Sequence, residues 1–260
     1  MIEISKKITT NVGRTNAKFG LIKENDRIMI GFSGGKDSLT LLHTLNRMQK
    51  KAPFKFDFKA VTITYGMGEQ IEFLSNHCKE HGIEHEIIDT QIFDLAGEKI
   101  RKNSSFCSFF SRMRRGYLYT TALEQGYNKI ALGHHLDDAM ESYFMNLFYN
   151  GTMRTMPPIY KANNGLEVIR PLIFCRERQL RAFADSNEIR VIGDEACPGL
   201  RFDVKMPHAR ATTKELLAKL EEQNPKIFVS MKAAFSNIQL PTFFYNNLKD
   251  INLNIEDENI

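Results

Sequence analysis

Apolar positions along the first two thirds of the chain switch between two spacings, and that switching predicts the architecture. "RIMIGF" (27–32) is a short apolar run ending in Gly-rich sequence, which reads as a buried strand. Next, "SLTLLHTLNRMQKK" (38–51) carries leucines at helical spacing. A second strand is expected in "KAVTITY" (59–65), a helix over 68–82, a third strand in "HEIIDT" (85–90) and a long helix over about 108–126. "KIALGHH" (129–135) is a fourth strand, and "LDDAMESYFMNLFYNG" a helix that stops at Gly151. From Val168, "VIRPLIF" is a further strand candidate, with a helix through "RERQLRAFADSNE" behind it. Residues 1–26 have a polar helical pattern, and "PHARATTKELLAKLEEQN" is a strong helix in the tail.

Strands alternating with helices of this length imply βαβ units, hence an α/β fold with a doubly wound parallel sheet. The expected division is a helical segment over 1–26, the α/β domain over 27–200 and a helical C-terminal extension over 201–260. Ligands in such sheets bind outside the carboxyl ends of the strands. That rule gathers 33–38, 65–68 and 133–138 at one edge.

At 260 residues with 42% hydrophobic content, the chain can bury a substantial core, which excludes a disordered class. No apolar run approaches the ~20 residues a membrane span needs. The start, "MIEISKKITTNVGR", lacks the apolar core of a secretory signal, so a cytoplasmic protein without a membrane partner is expected. A net charge of +4 permits nucleic-acid binding without requiring it. Cys78, Cys107, Cys175 and Cys197 include no CxxC pair, and in a reducing compartment such thiols mostly pack as small hydrophobes.

Candidate chemistry concentrates in "GFSGGKDS" (31–38), between a strand and a helix. Gly34 and Gly35 permit a tight turn that aims successive N–H groups at an anion on a positive helix end. Lys36 and the hydroxyls of Ser33 and Ser38 add donors. Asp37 suits an anion cradle only if it binds a cation or caps the helix. A plain glycine turn would need none of this, whereas the full Ser-Gly-Gly-Lys-Asp-Ser set in this context points to a nucleotide.

That set resembles the signature of the PP-loop ATP pyrophosphatases, which cleave ATP between the α and β phosphates and adenylate their substrate. The resemblance implies that Ala60, Thr62 and Gly133 border the adenosine. It also implies that Asp37 and Asp138 are partners for Mg²⁺, a cation that prefers hard oxygen ligands. Three further blocks, "CSFFSRMRRGYLY" (107–119), "KIALGHHLDDAMESYFMNLFYNGTMRTMPP" (129–158) and "IRPLIFCRERQLRAFA" (169–184), resemble the tRNA 2-thiocytidine synthetases. That family activates the C2 oxygen of an anticodon-loop cytidine with ATP and replaces it with sulfur. The resemblance therefore implies a tRNA substrate, a sulfur donor such as a cysteine desulfurase, and a homodimer.

In the family's pattern a Cys-x-x-Cys at 107–110 and a later cysteine hold an iron–sulfur cluster. Here Phe110 stands at the second position, leaving Cys107 and Cys197, while a cubane wants about four thiolates. Three readings stand open. Cys78 or Cys175 substitutes; or Cys107 and Cys197 act as a persulfide-forming pair, with the arginines favouring the thiolate; or thiolation has been lost. Lys36, Asp37, Cys107 and Cys197 are the expected catalytic groups.

Arg112, Arg114 and Arg115, with Arg154 and Arg170 from the other blocks, are expected RNA contacts. Phe109, Phe110 and Tyr117 either offer stacking surfaces for single-stranded bases or belong to the core. His134 and His135 flank the nucleotide edge, Asp137 is expected to cap the helix behind them, and Glu141 falls one turn beyond it. The alternative functions are ligation of an amine to an adenylated substrate, as in the lysidine synthetases, and nucleotide or RNA binding without catalysis.

Overall fold

A computed structural model describes residues 2–99, 106–193 and 208–239, together with 198 and 242. Its strands are β1 (Arg27–Gly31), β2 (Asp57–Ile63), β3 (His85–Ile88), β4 (Lys129–Ala131), β5 (Ile159–Lys161) and β6 (Glu167–Ile169). They form one sheet in the order β3-β2-β1-β4-β6-β5. All neighbours run parallel except β5, which lies antiparallel to β6. The doubly wound α/β architecture is the one expected, with an antiparallel edge strand added to it.

The helices are α1 (Lys6–Phe19), α2 (Lys36–Lys51), α3 (Glu72–Glu80), α4 (Ile92–Lys99), α5 (Phe106–Glu124), α6 (Leu136–Tyr149), α7 (Glu177–Ser186), α8 (His208–Gln223) and α9 (Ile227–Ala234). Pleating divides them between two cores, because successive strand residues point to opposite faces. On one face Ile28, Ile30, Ala60, Ala131 and Ile169 pack with the leucines of α2, Leu74 and Cys78 of α3, and Phe183 of α7. On the other, Met29, Val61, Ile63, Ile130 and Val168 pack with Ile92 of α4 and with Phe109, Phe110 and Leu118 of α5. Near-continuous apolar strands are what a sheet covered on both faces requires.

The N-terminal helix is part of this construction. Ser5 caps α1 by accepting from the Ile8 amide, Ile8 and Val12 enter the first core, and Gly20 closes the helix in the left-handed conformation. By contact density the chain divides into two compact units, Met1–Leu216 and Leu217–Ile260. The sheet, α1 through α7 and every residue of the site below belong to the first. Among the described residues no helix is long and apolar enough to cross a membrane.

Candidate active site at the carboxyl edge of the sheet

The turn from β1 into α2 is built to leave backbone amides open. Phe32 extends β1 by donating to the Val61 carbonyl, and Thr62 Oγ1 holds the Phe32 carbonyl at 2.7 Å. The chain then reverses at Gly34, whose φ of 78° is left-handed. A Cβ there would also stand 2.7 Å from Ile192 Cδ1, so any larger residue would have to displace that side chain as well as take up the strained φ. Gly35 is the N-cap of α2, and no side chain caps that first turn. The uncapped N–H groups and the helix dipole make an anion site. Ser33 and Ser38 lie together at 3.3 Å, with Ser38 Oγ donating to the Gly35 carbonyl.

Lys36 Nζ lies 3.2 Å from Glu177 Oε1 and 3.4 Å from Asp37 Oδ2. Burial works against its charge, but these two carboxylates outweigh it and raise the lysine above its ordinary value, so it is cationic at neutral pH. Glu177 also receives Lys214 at 2.8 Å and Arg181 at 3.6 Å. Burial pushes Glu177 up; Lys214 and Lys36 overcome this and hold it at about 2.

Asp37 and Asp138 meet across His135, whose Nε2 is 3.8 Å from Asp37 Oδ1 and 3.4 Å from Asp138 Oδ2. Asp37 Oδ1 is buried without a hydrogen bond among the described residues, and burial raises the carboxyl's pKa. An orphaned carboxylate oxygen beside a second aspartate fits a hard divalent cation. Arg210 of α8 presently covers the outer side of this acidic group, with its guanidinium 2.6 Å from Asp138 Oδ1 and 2.7 Å from Glu141 Oε2. Burial pulls His135 down, yet Asp137, Asp138 and Asp37 raise it on balance.

Gly133 packs against the loop itself. A Cβ at that position would stand 3.1 Å from Asp37 C and from Ser38 N, both backbone atoms. Gly133→Ala should therefore displace the loop by tenths of an ångström. Misplacement of about 1 Å can cost 10²-fold, so we expect roughly tenfold weaker ATP binding, read by equilibrium titration with a non-hydrolysable analogue. Unchanged affinity would show that the loop has slack there.

A cleft of about 780 Å³ opens beside the loop, lined by Ser33, Lys36, Asp37, Thr62, Thr64 and Tyr65 and walled by Arg114 and Arg190. Arg114 donates to Tyr65 Oη at 2.8 Å, and the Arg190 guanidinium stacks on Phe73 at 4.1 Å. Thr62 lines this space. Ala60, two residues earlier on the same face of β2, is fully buried in the first core and does not reach it.

Other expectations are corrected by burial. Arg112, Arg115 and Arg154 are exposed, but Arg170 is buried; it donates to the Pro157 carbonyl at 2.6 Å and to His134 Nδ1 at 3.2 Å. A guanidinium satisfied inside the protein is not presented to RNA. Burial and the Arg170 charge push His134 down to about 4, keeping it neutral. Phe109 and Phe110 belong to the second core, and Tyr117 packs against it. The cap of α6 is His135, whose Nδ1 accepts from the Asp138 amide; Asp137 instead receives Arg176 and the Glu177 amide, tying α6 to α7. Sequence reasoning missed Glu177, Arg176, Arg210 and Lys214, although the first two stand in the block "IRPLIFCRERQLRAFA".

Phe110 meets Tyr65 edge-on at 5.5 Å and Phe109 at 5.6 Å, so aromatic packing occupies the position where the family pattern has a cysteine. Cys78 and Cys175 do not replace it. Both lie in the core on the opposite face of the sheet, where burial pushes their thiols up to about 12. Phe110 offers no sulfur, and among the described residues neither Cys78 nor Cys175 supplies a thiolate in its place. Cys107 lies in the first turn of α5, while Cys197 falls outside the described residues.

A family model for the PP-loop domain matches residues 4–205. The tRNA-cytidine(32) 2-sulfurtransferase of Geobacter metallireducens is 44% identical, with 90% of each chain covered. The protein of that name from Pseudomonas syringae pv. syringae is 37% identical, over 98% of this chain and 92% of its own. Among solved structures, the U34-tRNA thiolase NcsA of Methanococcus maripaludis, determined with its 4Fe-4S cluster, superposes with a TM-score of 0.74. It is 24% identical, over 94% of this chain and 82% of its own, which establishes the shared fold. The NH3-dependent NAD synthetase of Campylobacter jejuni reaches 0.51 at 16% identity, over 91% and 93%. Sequence match, sheet topology and loop geometry agree: the chain belongs to the PP-loop ATP pyrophosphatases, in the family of the tRNA-cytidine(32) 2-sulfurtransferases.

Proposed function

We propose that the chain uses ATP to adenylate the C2 oxygen of cytidine 32 in tRNA and replaces that oxygen with sulfur. The observation that carries the ATP half is the uncapped N-terminus of α2, flanked by Lys36 and by the orphaned Asp37 Oδ1. The substrate half is supported by relatives of that name at 37–44% identity across about nine tenths of the chain.

A pyrimidine C2 carbonyl has a poor leaving group, and adenylation supplies one. Asp37 and Asp138 would hold Mg²⁺, which neutralises phosphate charge when bound. The α2 amides and Lys36 receive the pyrophosphate as negative charge accumulates on it. Fixed donors that need no reorganisation are the efficient way to stabilise such charge. Glu177 keeps Lys36 oriented before nucleotide arrives, and the nucleotide then displaces it. Exposed Arg112, Arg115 and Arg154 provide phosphate contacts for the RNA.

For sulfur transfer we favour Cys107 and Cys197 as a thiol pair. A persulfide on one attacks C2 and AMP departs. The other thiol then breaks the S–S bond, leaving sulfur on the base and a disulfide that an external dithiol reduces. A sulfur carrier reloads the persulfide. Buried Cys78 and Cys175, held neutral, take no part.

Mass spectrometry of nucleosides from total tRNA tests the reading, in cells lacking the gene and after its restoration. We expect 2-thiocytidine to disappear and return, with Cys107→Ser and Cys197→Ser each restoring less than about 1% of it, as removal of a reacting nucleophile does. A 2-thiocytidine level independent of the gene would overturn the substrate assignment. Full restoration by both serine variants would retain the substrate and overturn the thiol pair.

A further inference from the structure

On the sheet face opposite α5, three imidazoles converge at a place the reaction above does not use. His43 is in the second turn of α2, and His77 and His81 are one turn apart on and just after α3. Their ligand-capable nitrogens all lie within 4.8 Å of one another, and the ring centroids are 4.7–4.9 Å apart. His43 is 4% exposed; the other two are half-buried and open toward solvent. From the juxtaposition of these three residues we infer that they form a binding site for a divalent transition metal of the zinc type, clamping α2 to α3.

The chemistry of the donors selects the metal. Three neutral imidazoles suit zinc, copper or nickel and are poor ligands for magnesium or calcium. Spacing of i, i+4 on one helix is the arrangement by which paired histidines grip zinc. The third ligand comes from a separate element, so the metal would cross-link two helices. A fourth position is left on the solvent side for water.

The geometry is close to that of a loaded site. Zinc–nitrogen bonds of about 2.0–2.1 Å in a tetrahedron place ligand nitrogens about 3.3 Å apart. His43 Nε2 and His77 Nε2 are 2.7 Å apart, so they must open slightly, while the widest pair must close. Without metal, the 2.7 Å contact demands that one ring carry its proton on Nε2 and the other on Nδ1. Burial, with His77, His81 and Lys50 nearby, pushes His43 down to about 3, so it presents a lone pair at neutral pH. Burial and the neighbouring His81 pull His77 down as well, against a smaller opposing pull from Glu80.

This site is separate from the nucleotide loop. His43 lies seven positions after Lys36 on α2, about 10 Å along the helix. A metal here would hold the body of α2, and hence the loop at its start, against α3. The role is structural, and no reaction step passes through it.

Cobalt is the probe, because its visible spectrum reports ligand type. The purified full-length protein, stripped with EDTA, is titrated with Co²⁺ and then with Zn²⁺. We expect one Co²⁺ per chain with the visible bands of a four-coordinate nitrogen site, no sulfur-to-cobalt charge-transfer band in the near ultraviolet, and displacement by Zn²⁺. In His77→Gln and His81→Gln affinity should fall by more than about 100-fold, beyond the 10–100-fold that loss of an outer-shell partner costs. Zn²⁺ should raise the melting temperature of the parent protein and not of these variants. Both substitutions are at half-buried positions, and circular dichroism of each variant before titration establishes that it is folded. A sulfur-to-cobalt band, equal binding by the variants, or no stoichiometric binding would each overturn the site and leave a hydrogen-bonded histidine cluster only.

Discussion

Lys36→Met should lower ATP-dependent pyrophosphate release by about 10²–10³ while leaving the protein folded, the range seen when one preorganised donor to a developing charge is removed. The lysine is placed for this effect. It begins α2, at the open end of the helix, and its ammonium lies between Asp37 and Glu177 at 3.4 and 3.2 Å. Loss of those contacts costs little stability. Glu177 retains Lys214 and Arg181, so removing Lys36 leaves it with cationic partners, and a solvent-accessible ion pair contributes about 1 kcal/mol. Lys36→Arg should restore only part of the rate, because a planar fork does not fit a cradle sized for an ammonium. The check is a coupled pyrophosphate assay under saturating ATP, with the melting temperature measured beside it. A rate within threefold of the parent would mean that the backbone amides suffice and the role given to Lys36 is mistaken.

The loop was legible because its chemistry is local. Gly34 must turn left-handed, Lys36 and two serines supply donors, and six consecutive residues contain them all. Gly133 and Asp138 were legible by topology, since a parallel sheet brings its strand ends to one edge. Glu177 and Arg210 were not. Glu177 reaches Lys36 of the loop from α7, and Arg210 reaches Asp138 and Glu141 from α8; nothing in their local sequence says which opposite charge they face.

Burial was the other blind spot. "FCSFFSRMRRG" reads equally as a basic surface helix or as one with an apolar underside, and the structure sends Phe109 and Phe110 inward while Arg112 and Arg115 stay out. Arg170 was counted among exposed cations because sequence shows its charge and not its partners, the Pro157 carbonyl and His134. The cap of α6 was assigned to Asp137 on propensity. Tertiary contacts prevailed: Asp137 is occupied by Arg176, and His135 takes the cap. Strand β5 has three residues and follows two prolines, too little for period-two alternation to register.

The largest stability effect should come from a residue that no functional motif contains. Lys129, at the start of β4, has a side chain only 2% exposed, and its ammonium contacts Asp26 at 3.0 Å, Glu167 at 2.9 Å and the Leu21 carbonyl at 2.9 Å. Lysine is almost never buried to this degree unless paired. Asp26 is fixed in turn by the Lys23 amide and the Asn128 side chain, so one ion pair joins the end of α1, the entry to β1 and the entry to β4. Lys129→Met keeps the volume and removes the charge, leaving a buried carboxylate without its cation. Breaking such a pair from one side costs about 3–5 kcal/mol. At roughly 2–4 °C per kcal/mol for a domain of this size, the melting temperature should fall on the order of 10 °C. Glu167→Gln is the control. Its carboxylate is 38% exposed, and the loss should stay under about 1 kcal/mol. Adding Asp26→Asn to Lys129→Met should recover part of the loss, because the stranded charge is then gone. Below the transition the variant should bind ATP normally, since β4 runs away from Lys129 toward the loop and the ion pair lies at the far edge of the sheet. Equal destabilisation by Glu167→Gln and Lys129→Met would place the energy in the exposed arm of the cluster and overturn the assignment to Asp26.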